Sequence, residues 1–315
     1  MPEQAWTGRS RGGGTGTAFA CWFLRRGARD VCYVLLWFPA LWFWLRDRTA
    51  RRAIASYWRR IDPRITFVGS RLRALRHLWE FARMLADRLL VIHQPAALRL
   101  TTEGLEHLVA GQSRGKGCIL LSAHVGSFEL AARLLIRERQ AHLNLVMLDA
   151  EDPRVQAQLR QAMGERPYRV IDLRDPTGAA LEIVAALQRD EICCMLGDRV
   201  LPGSTGPSSS VAVPFLGGTV HLPSGPFLAA ATTGATIIPT FCVRRGWATW
   251  RCVARAPFTV ELGVRSERQE RLRAVVADWA ALLEREVRES PWAWNNYFDL
   301  WAVAETAPLT APVRT

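Results

Sequence analysis

The chain has 315 residues, 49% of them apolar, and a formal net charge of +12. That length and apolar content allow one large domain with an appendage and exclude a wholly disordered chain. The basic residues are almost all arginine, Lys116 being the single lysine, so the surface attracts anionic partners such as lipid headgroups, an acidic carrier protein or nucleic acid.

Thirteen residues are tryptophan, and six of these (Trp6, Trp22, Trp37, Trp42, Trp44, Trp58) fall in the first sixty positions. Tryptophan favours the membrane–water boundary, where its ring is buried and its N–H stays wet, so lipid is favoured over nucleic acid. The seven cysteines show no CxxC spacing and several lie in apolar runs. They read as small buried hydrophobes in a reducing compartment, with no disulfide framework and no metal site expected.

Residues 1–17 are rich in Gly, Arg, Ser and Thr and are expected to be disordered. Val31–Leu45 carries no charge. As one helix it would be about 22 Å long, short of the roughly 30 Å hydrocarbon thickness, and Pro39 would kink it. A short kinked span and a helix lying in one leaflet are both open; a buried core helix is the bland alternative. Arg46, Arg48, Arg51, Arg52, Arg59 and Arg60 follow, a pattern suited to anionic lipid on the cytoplasmic side of a membrane. Residues 70–90 read as an amphipathic helix whose leucines (Leu72, Leu75, Leu78, Leu85, Leu89) are expected to pack.

From about residue 100 strands and helices alternate. Strands are predicted at Cys118–Ser122, Leu143–Leu148, Tyr168–Leu173, Ile192–Leu196, Thr236–Val243 and Thr249–Ala254. Helices are predicted at Phe128–Arg139, Pro153–Gly164, Thr177–Arg189 and Ser266–Glu289. This alternation predicts an α/β fold with a mainly parallel sheet covered on both faces. The chain divides into a disordered start (1–17), a membrane-associated helical region (18–95), an α/β domain (96–303) and a loose tail (304–315).

Function in such sheets collects in loops at the carboxyl ends of strands. Two loops stand out, Ala123–Ser127 and Gly197–Gly218. In the first, His124 leaves the strand, Gly126 permits a tight turn, Ser127 suits a helix N-cap, and Glu129 enters the first helical turn. That placement suggests an imidazole oriented by Glu129, with the substrate hydroxyl as the third member of a relay. In the second, Asp198 and Arg199 emerge from a buried strand. Arg199 suits a phosphate or an anionic headgroup, and an Asp–Arg ion pair closing the strand is the simpler alternative. The stretch 211–241 alternates apolar residues with Pro and Gly and suits the wall of an acyl groove, or merely a core-packed connection. His221, within it, reads as structural.

Taken together, His124 and Glu129 as H-x4-E, MLGDR with Asp198 and Arg199, HLPSGPF with Ser224 and Gly225, IIPTF with Pro239, and the terminal PWAWNNYFDLW resemble the lysophospholipid acyltransferase superfamily. The likeness is to its lipid A late-acyltransferase branch, and it runs from the apolar N-terminus to about Trp301. Ser224 stands where the glycerolipid branch carries glutamate. The resemblance implies a three-layer α/β/α sandwich behind an N-terminal membrane helix. It implies an acyl chain moved from an acyl-carrier-protein or coenzyme A thioester to a hydroxyl of a lipid acceptor, lipid A-like or another glycolipid or aminolipid, at the bacterial inner membrane with the catalytic domain in the cytoplasm. His124 would be the general base and Glu129 its orienting carboxylate, with Arg199, Asp198, Ser127, Ser224 and Gly225 binding substrate. Backbone N–H groups at Gly126 or Ser127, or Arg199, would meet the oxyanion. No cofactor, metal or nucleic acid is called for. A catalytically silent membrane-binding relative and a glycerophospholipid-type enzyme are the alternatives. Acylation of Cys193, Cys194 or Ser127 is the rival chemistry.

Overall fold

The computed structural model describes residues 24, 26–139, 142–148, 168–201 and 209–301. The expected disordered start, the loose tail, the helix at 153–164 and part of the second loop lie outside the described residues.

The arm comes first: α1 (Arg29–Leu35), α2 (Trp37–Arg46), α3 (Arg48–Ile61) and the 27-residue α4 (Phe67–His93). The apolar run is broken at Leu36 and not at Pro39. In a continuous helix Pro39 could not donate to Leu35, and its ring would clash with that carbonyl. The chain therefore restarts at Trp37, which puts Pro39 in a first turn where no N–H is needed. Among the described residues no helix is long and apolar enough to cross a membrane. Asp47 starts α3 by accepting from Ala50 N at 2.9 Å, and Thr66 starts α4 by accepting from Gly69 N at 3.0 Å.

The α4 leucines do not form one packing stripe. Leu89 is buried but Leu72 is 60% exposed, because the face that meets the body is built from Ala74, His77, Arg83, Ala86, Asp87 and Leu90. Asp87, fully buried, receives Tyr33 Oη, Arg244 Nη2 and Trp250 Nε1, and so bolts the arm to the sheet.

The body holds β1 (Arg99–Glu103), α5 (Leu105–Gln112), β2 (Cys118–Ser122), α6 (Phe128–Arg139), β3 (Leu143–Met147), β4 (Arg169–Asp172), α7 (Pro176–Gln188) and β5 (Ile192–Leu196). A hairpin of β6 (Ser210–Phe215) and β7 (Gly218–Pro223) follows, then α8 (Gly225–Thr233), β8 (Thr236–Arg244), β9 (Thr249–Ala254) and α9 (Arg268–Glu289). The seven-stranded sheet runs β1-β9-β8-β2-β5-β3-β4, parallel throughout except where β8 and β9 pair as neighbours. β2 is buried at every residue, as expected of a strand covered on both faces. Ile119, Leu121, Ile237 and Phe241 face the apolar sides of α7, α8 and α9. Leu120 and Ile238 face Leu108 of α5 and Ala132 of α6. These layers make the sandwich.

β1 and the hairpin escape sequence reading. β1 is a polar edge strand, RLTTE, with most residues exposed, and the hairpin lies in the stretch expected to be an acyl-groove wall or an irregular core-packed connection. A disulfide joins Cys242 and Cys252, against the expectation of none. Antiparallel pairing of β8 with β9 sets them opposite one another, with Cα atoms 4.1 Å apart. Among the described residues Cys118, Cys193 and Cys194 are free thiols.

Candidate active site

The site is built by register. β2 and β5 pair in parallel, with Ser122 opposite Leu196. Two residues past each paired end stand His124 and Asp198, so the sheet itself brings them level. His124 Nδ1 lies 2.8 Å from Asp198 Oδ1, and His124 N donates to Asp198 Oδ2 at 3.0 Å.

Asp198 is 1% exposed. Burial alone would raise its pKa; the His124 ring, its hydrogen bonds and Arg199 outweigh that and hold the carboxyl well below the usual range. An ionised carboxylate only accepts, so Nδ1 carries the ring proton and Nε2 bears the lone pair. Burial pushes the His124 ring below its ordinary value, and Arg199 adds to that while Asp198 opposes it. The ring is therefore a neutral base at neutral pH, with 23% of its side chain open to solvent.

Glu129, expected to orient the ring, does something else. Arg88 of α4 takes both its oxygens, Nε at 2.7 Å from Oε2 and Nη2 on Oε1. The reason is geometric. α6 begins only at Phe128, so the first turn carries Glu129 against the arm, while the ring leaves the turn toward the end of β5. The carboxylate bonded to the ring is Asp198, which the sequence had offered only as a substrate-binding or ion-pairing residue.

Gly126 meets its expectation. It sits at φ +71°, and a Cβ there would fall 1.9 Å from the carbonyl of Cys242. Ser127 caps α6, its Oγ accepting from Leu130 N at 3.3 Å. The backbone donors expected to meet an oxyanion are already used. Gly126 N donates to Ala293 O at 2.7 Å and Ser127 N to Cys242 O at 2.9 Å.

Arg199 donates through Nη2 to the carbonyl of Asn295 and stacks 5.1 Å from the Phe298 ring. Burial pushes its pKa down to about 10, with Asp198 and Tyr297 opposing, so it stays a cation. Ser224 and Gly225 stand at the start of α8. Ser224 is buried and its carbonyl accepts from Phe227 and Leu228, while Gly225 is exposed with open space around it. The prolines and glycines of that segment turn the chain between hairpin and helix. His221 faces Ser210 across the hairpin at 3.4 Å.

The terminal aromatic segment contributes what sequence reading missed. Asn295 N donates to His124 O at 2.7 Å, and Trp294 Nε1 donates to Asp198 Oδ2 at 3.1 Å. No spacing rule connects residues this far apart. The resemblance had singled out the segment, PWAWNNYFDLW, but nothing in it named the partners of Trp294 and Asn295.

An apolar cavity lies between the sheet and α5 and α6, walled by Leu108, Leu120, Ala132 and Cys194 among others. Ser122 and Phe128, on either side of the His124 turn, both line it, so the slot begins beneath the turn. It lies under α6, and the stretch 211–241 supplies only Thr240 and Phe241 of its lining from before Cys242. Burial pushes the thiols of Cys118 and Cys193 up to about 12, and that of Cys194 up as well. Such thiols are poor nucleophiles.

The family model described as "Bacterial lipid A biosynthesis acyltransferase" matches residues 76–301. A phosphatidylinositol mannoside acyltransferase of Mycobacterium tuberculosis (strain ATCC 25618 / H37Rv) is 26% identical over 149 residues, 46% of this chain and 45% of that protein. Its counterpart from strain CDC 1551 / Oshkosh gives the same figures. The match thus spans less than half the length of these relatives. Among solved structures, the 1-acyl-sn-glycerophosphate (LPA) acyltransferase PlsC from Thermotoga maritima aligns at 14% identity and TM-score 0.36, over 82% of this chain and 98% of that one.

Proposed function

Because the chain belongs to the bacterial lipid A biosynthesis acyltransferase family, we propose that it moves a fatty acyl group from a thioester donor to a hydroxyl of a lipid, with His124 as general base and Asp198 orienting its ring. The observation that carries this reading is the 2.8 Å contact of His124 Nδ1 with Asp198 at the rim of the sheet, above an apolar slot.

Nε2 removes the proton of the acceptor hydroxyl as its oxygen attacks the thioester carbonyl. Asp198 stabilises the imidazolium that results. The tetrahedral intermediate collapses, the carbon–sulfur bond breaks, and the imidazolium returns its proton to the leaving thiolate. Arg199, whose charge acts on both His124 and Asp198, supplies positive charge beside the forming oxyanion. The acyl chain occupies the slot under α6. Glu129 holds the arm to the active-site turn through Arg88.

The acceptor class we infer is a glycolipid offering a sugar hydroxyl, a class that covers both the lipid A of the family's description and the mannoside named for the mycobacterial relatives. The donor is an acyl-carrier-protein or coenzyme A thioester. The protein works on a membrane surface, at the cytoplasmic side of a bacterial inner membrane. Supporting this, Val34, Phe38, Trp42 and Leu45 form an exposed stripe along α1 and α2, and Phe67, Val68 and Leu72 are exposed on α4. Trp44 Nε1 donates to Arg71 O at 3.0 Å, which joins the two surfaces. Arg48, Arg52 and Arg71 crowd Arg51 at the end of α2, an arrangement suited to anionic headgroups.

The test is turnover of palmitoyl-coenzyme A or palmitoyl-carrier protein with glycolipid acceptors. Loss of about a thousandfold in folded His124→Ala is expected, and near-full turnover by that variant refutes the proposal.

A further inference from the structure

The segment from Pro291 to Asn296 crosses the His124 turn as a strap. Val125 and Trp294 form an antiparallel bridge. Two backbone bonds of 2.7 Å flank it, Gly126 N to Ala293 O and Asn295 N to His124 O. The Trp294 side chain then turns inward, 1% exposed, and its indole N–H reaches Asp198 Oδ2. That oxygen is therefore held by two N–H groups, those of Trp294 and of the His124 backbone, while Oδ1 alone faces the imidazole.

We propose that Trp294 is a positioning residue for acyl transfer: its N–H fixes the rotation of the Asp198 carboxylate, so that Oδ1 is presented to His124 Nδ1 with Oδ2 already occupied. This rests on the acyltransferase reading above. The indole ring itself packs on Tyr57 and Phe215, at 5.0 and 5.4 Å between centroids, so the donor is seated by the arm and the hairpin together. A carboxylate deprived of that donor concentrates its charge and turns more freely. It then stabilises the imidazolium more and aims the ring less well.

The test uses the full chain in detergent micelles and follows the rate at which diethyl pyrocarbonate modifies His124, by peptide mass spectrometry across pH. It compares wild type, Trp294→Phe, which removes the donor, and Phe215→Leu, which loosens the same packing and leaves the N–H. The other groups that act on the site, Asp198, Arg199 and Tyr297, and the buried His77 behind the strap, are untouched in both variants. Trp294→Phe is expected to raise the His124 midpoint by about half a pH unit or more. Its turnover of palmitoyl-coenzyme A is expected to fall about tenfold. Phe215→Leu should leave the midpoint in place. An unchanged midpoint in Trp294→Phe, or an equal rise in Phe215→Leu, overturns the proposal. Should His124→Ala keep wild-type turnover, the assignment of His124 as the base fails instead, and the titration still decides whether the indole holds the carboxylate; if the wild-type chain turns over no acyl donor, the acyltransferase reading fails.

Discussion

Arg88 grips both oxygens of Glu129, and so ties the longest helix of the arm to the first turn of the helix that follows His124. The acidic residue of H-x4-E is thereby an attachment point between the arm and the chemistry. A double-mutant cycle measures this. Arg88→Met and Glu129→Gln should each destabilise the fold, and the double variant should cost less than their sum. The expected coupling is about 1 to 3 kcal/mol, since the Glu129 side chain is 9% exposed and the Arg88 side chain 28%. Additive losses would mean that the pair does not link the two parts.

Gly126 cannot be enlarged. At φ +71° with the Cys242 carbonyl 1.9 Å from a built Cβ, Gly126→Ala must unseat the turn from β8. A loss of at least about 3 kcal/mol is expected, with activity lost at temperatures where the chain remains folded. Thermal unfolding with turnover below the transition checks it. An alanine variant of normal stability would show that the turn is not so constrained.

Acid should weaken the fold through His77. The ring is fully buried, with one nitrogen 3.0 Å from Trp294 O, and burial lowers its pKa from 6.5 to about 4. The unfolded chain therefore binds a proton between those values that the folded chain refuses. Stability contributed by the neutral ring is full above pH 6.5 and is lost as pH falls toward 4, on the order of 3 kcal/mol. Denaturant titrations from pH 7 to 4.5 should show that slope in wild type and a shallower one in His77→Gln. Equal slopes would assign the acid sensitivity elsewhere.

Activity should titrate in the opposite sense to a salt-bridged histidine with a raised pKa. Burial and Arg199 hold the His124 ring below 6.5, so the acid limb of kcat/KM should fall below that value. Arg199→Met removes one lowering influence and should move the limb upward. A limb unmoved by that change would mean that Arg199 does not act on the base.

The proposed membrane contact is testable apart from the chemistry. Phe38 and Leu45 are 69% and 58% exposed, so Phe38→Glu with Leu45→Glu should leave the unfolding transition in place. Flotation with vesicles containing phosphatidylglycerol should weaken about tenfold or more. Undiminished flotation would place the membrane contact elsewhere.

Much of the fold was legible because it rests on local pattern. Cys118–Ser122, Ile192–Leu196 and Phe128–Arg139 were bounded correctly from apolar runs and helical spacing. The turn at Gly126 and the cap at Ser127 followed from residue chemistry. The identity of the carboxylate did not, because it depends on which strands are neighbours. Asp198 meets His124 only once β2 pairs with β5 in the register Ser122–Leu196, and sequence spacing pulled attention to Glu129, five residues away. Arg88, Trp294 and Asn295 were hidden for the same reason, since each reaches the turn through tertiary contacts. The break at Leu36 was misplaced by three residues because the effect of a proline falls on the preceding turn.

The sharpest discrimination comes from lipid mass spectrometry and turnover of one variant pair, Asp198→Asn and Glu129→Gln, each checked for folding. If Asp198 sets the tautomer of the base, its asparagine variant should lose about a thousandfold or more. The added acyl group should vanish from cellular lipids, while Glu129→Gln keeps a measurable fraction. A full-rate Asp198→Asn enzyme, or a Glu129→Gln enzyme that alone is dead with an intact fold, would contradict the assignment.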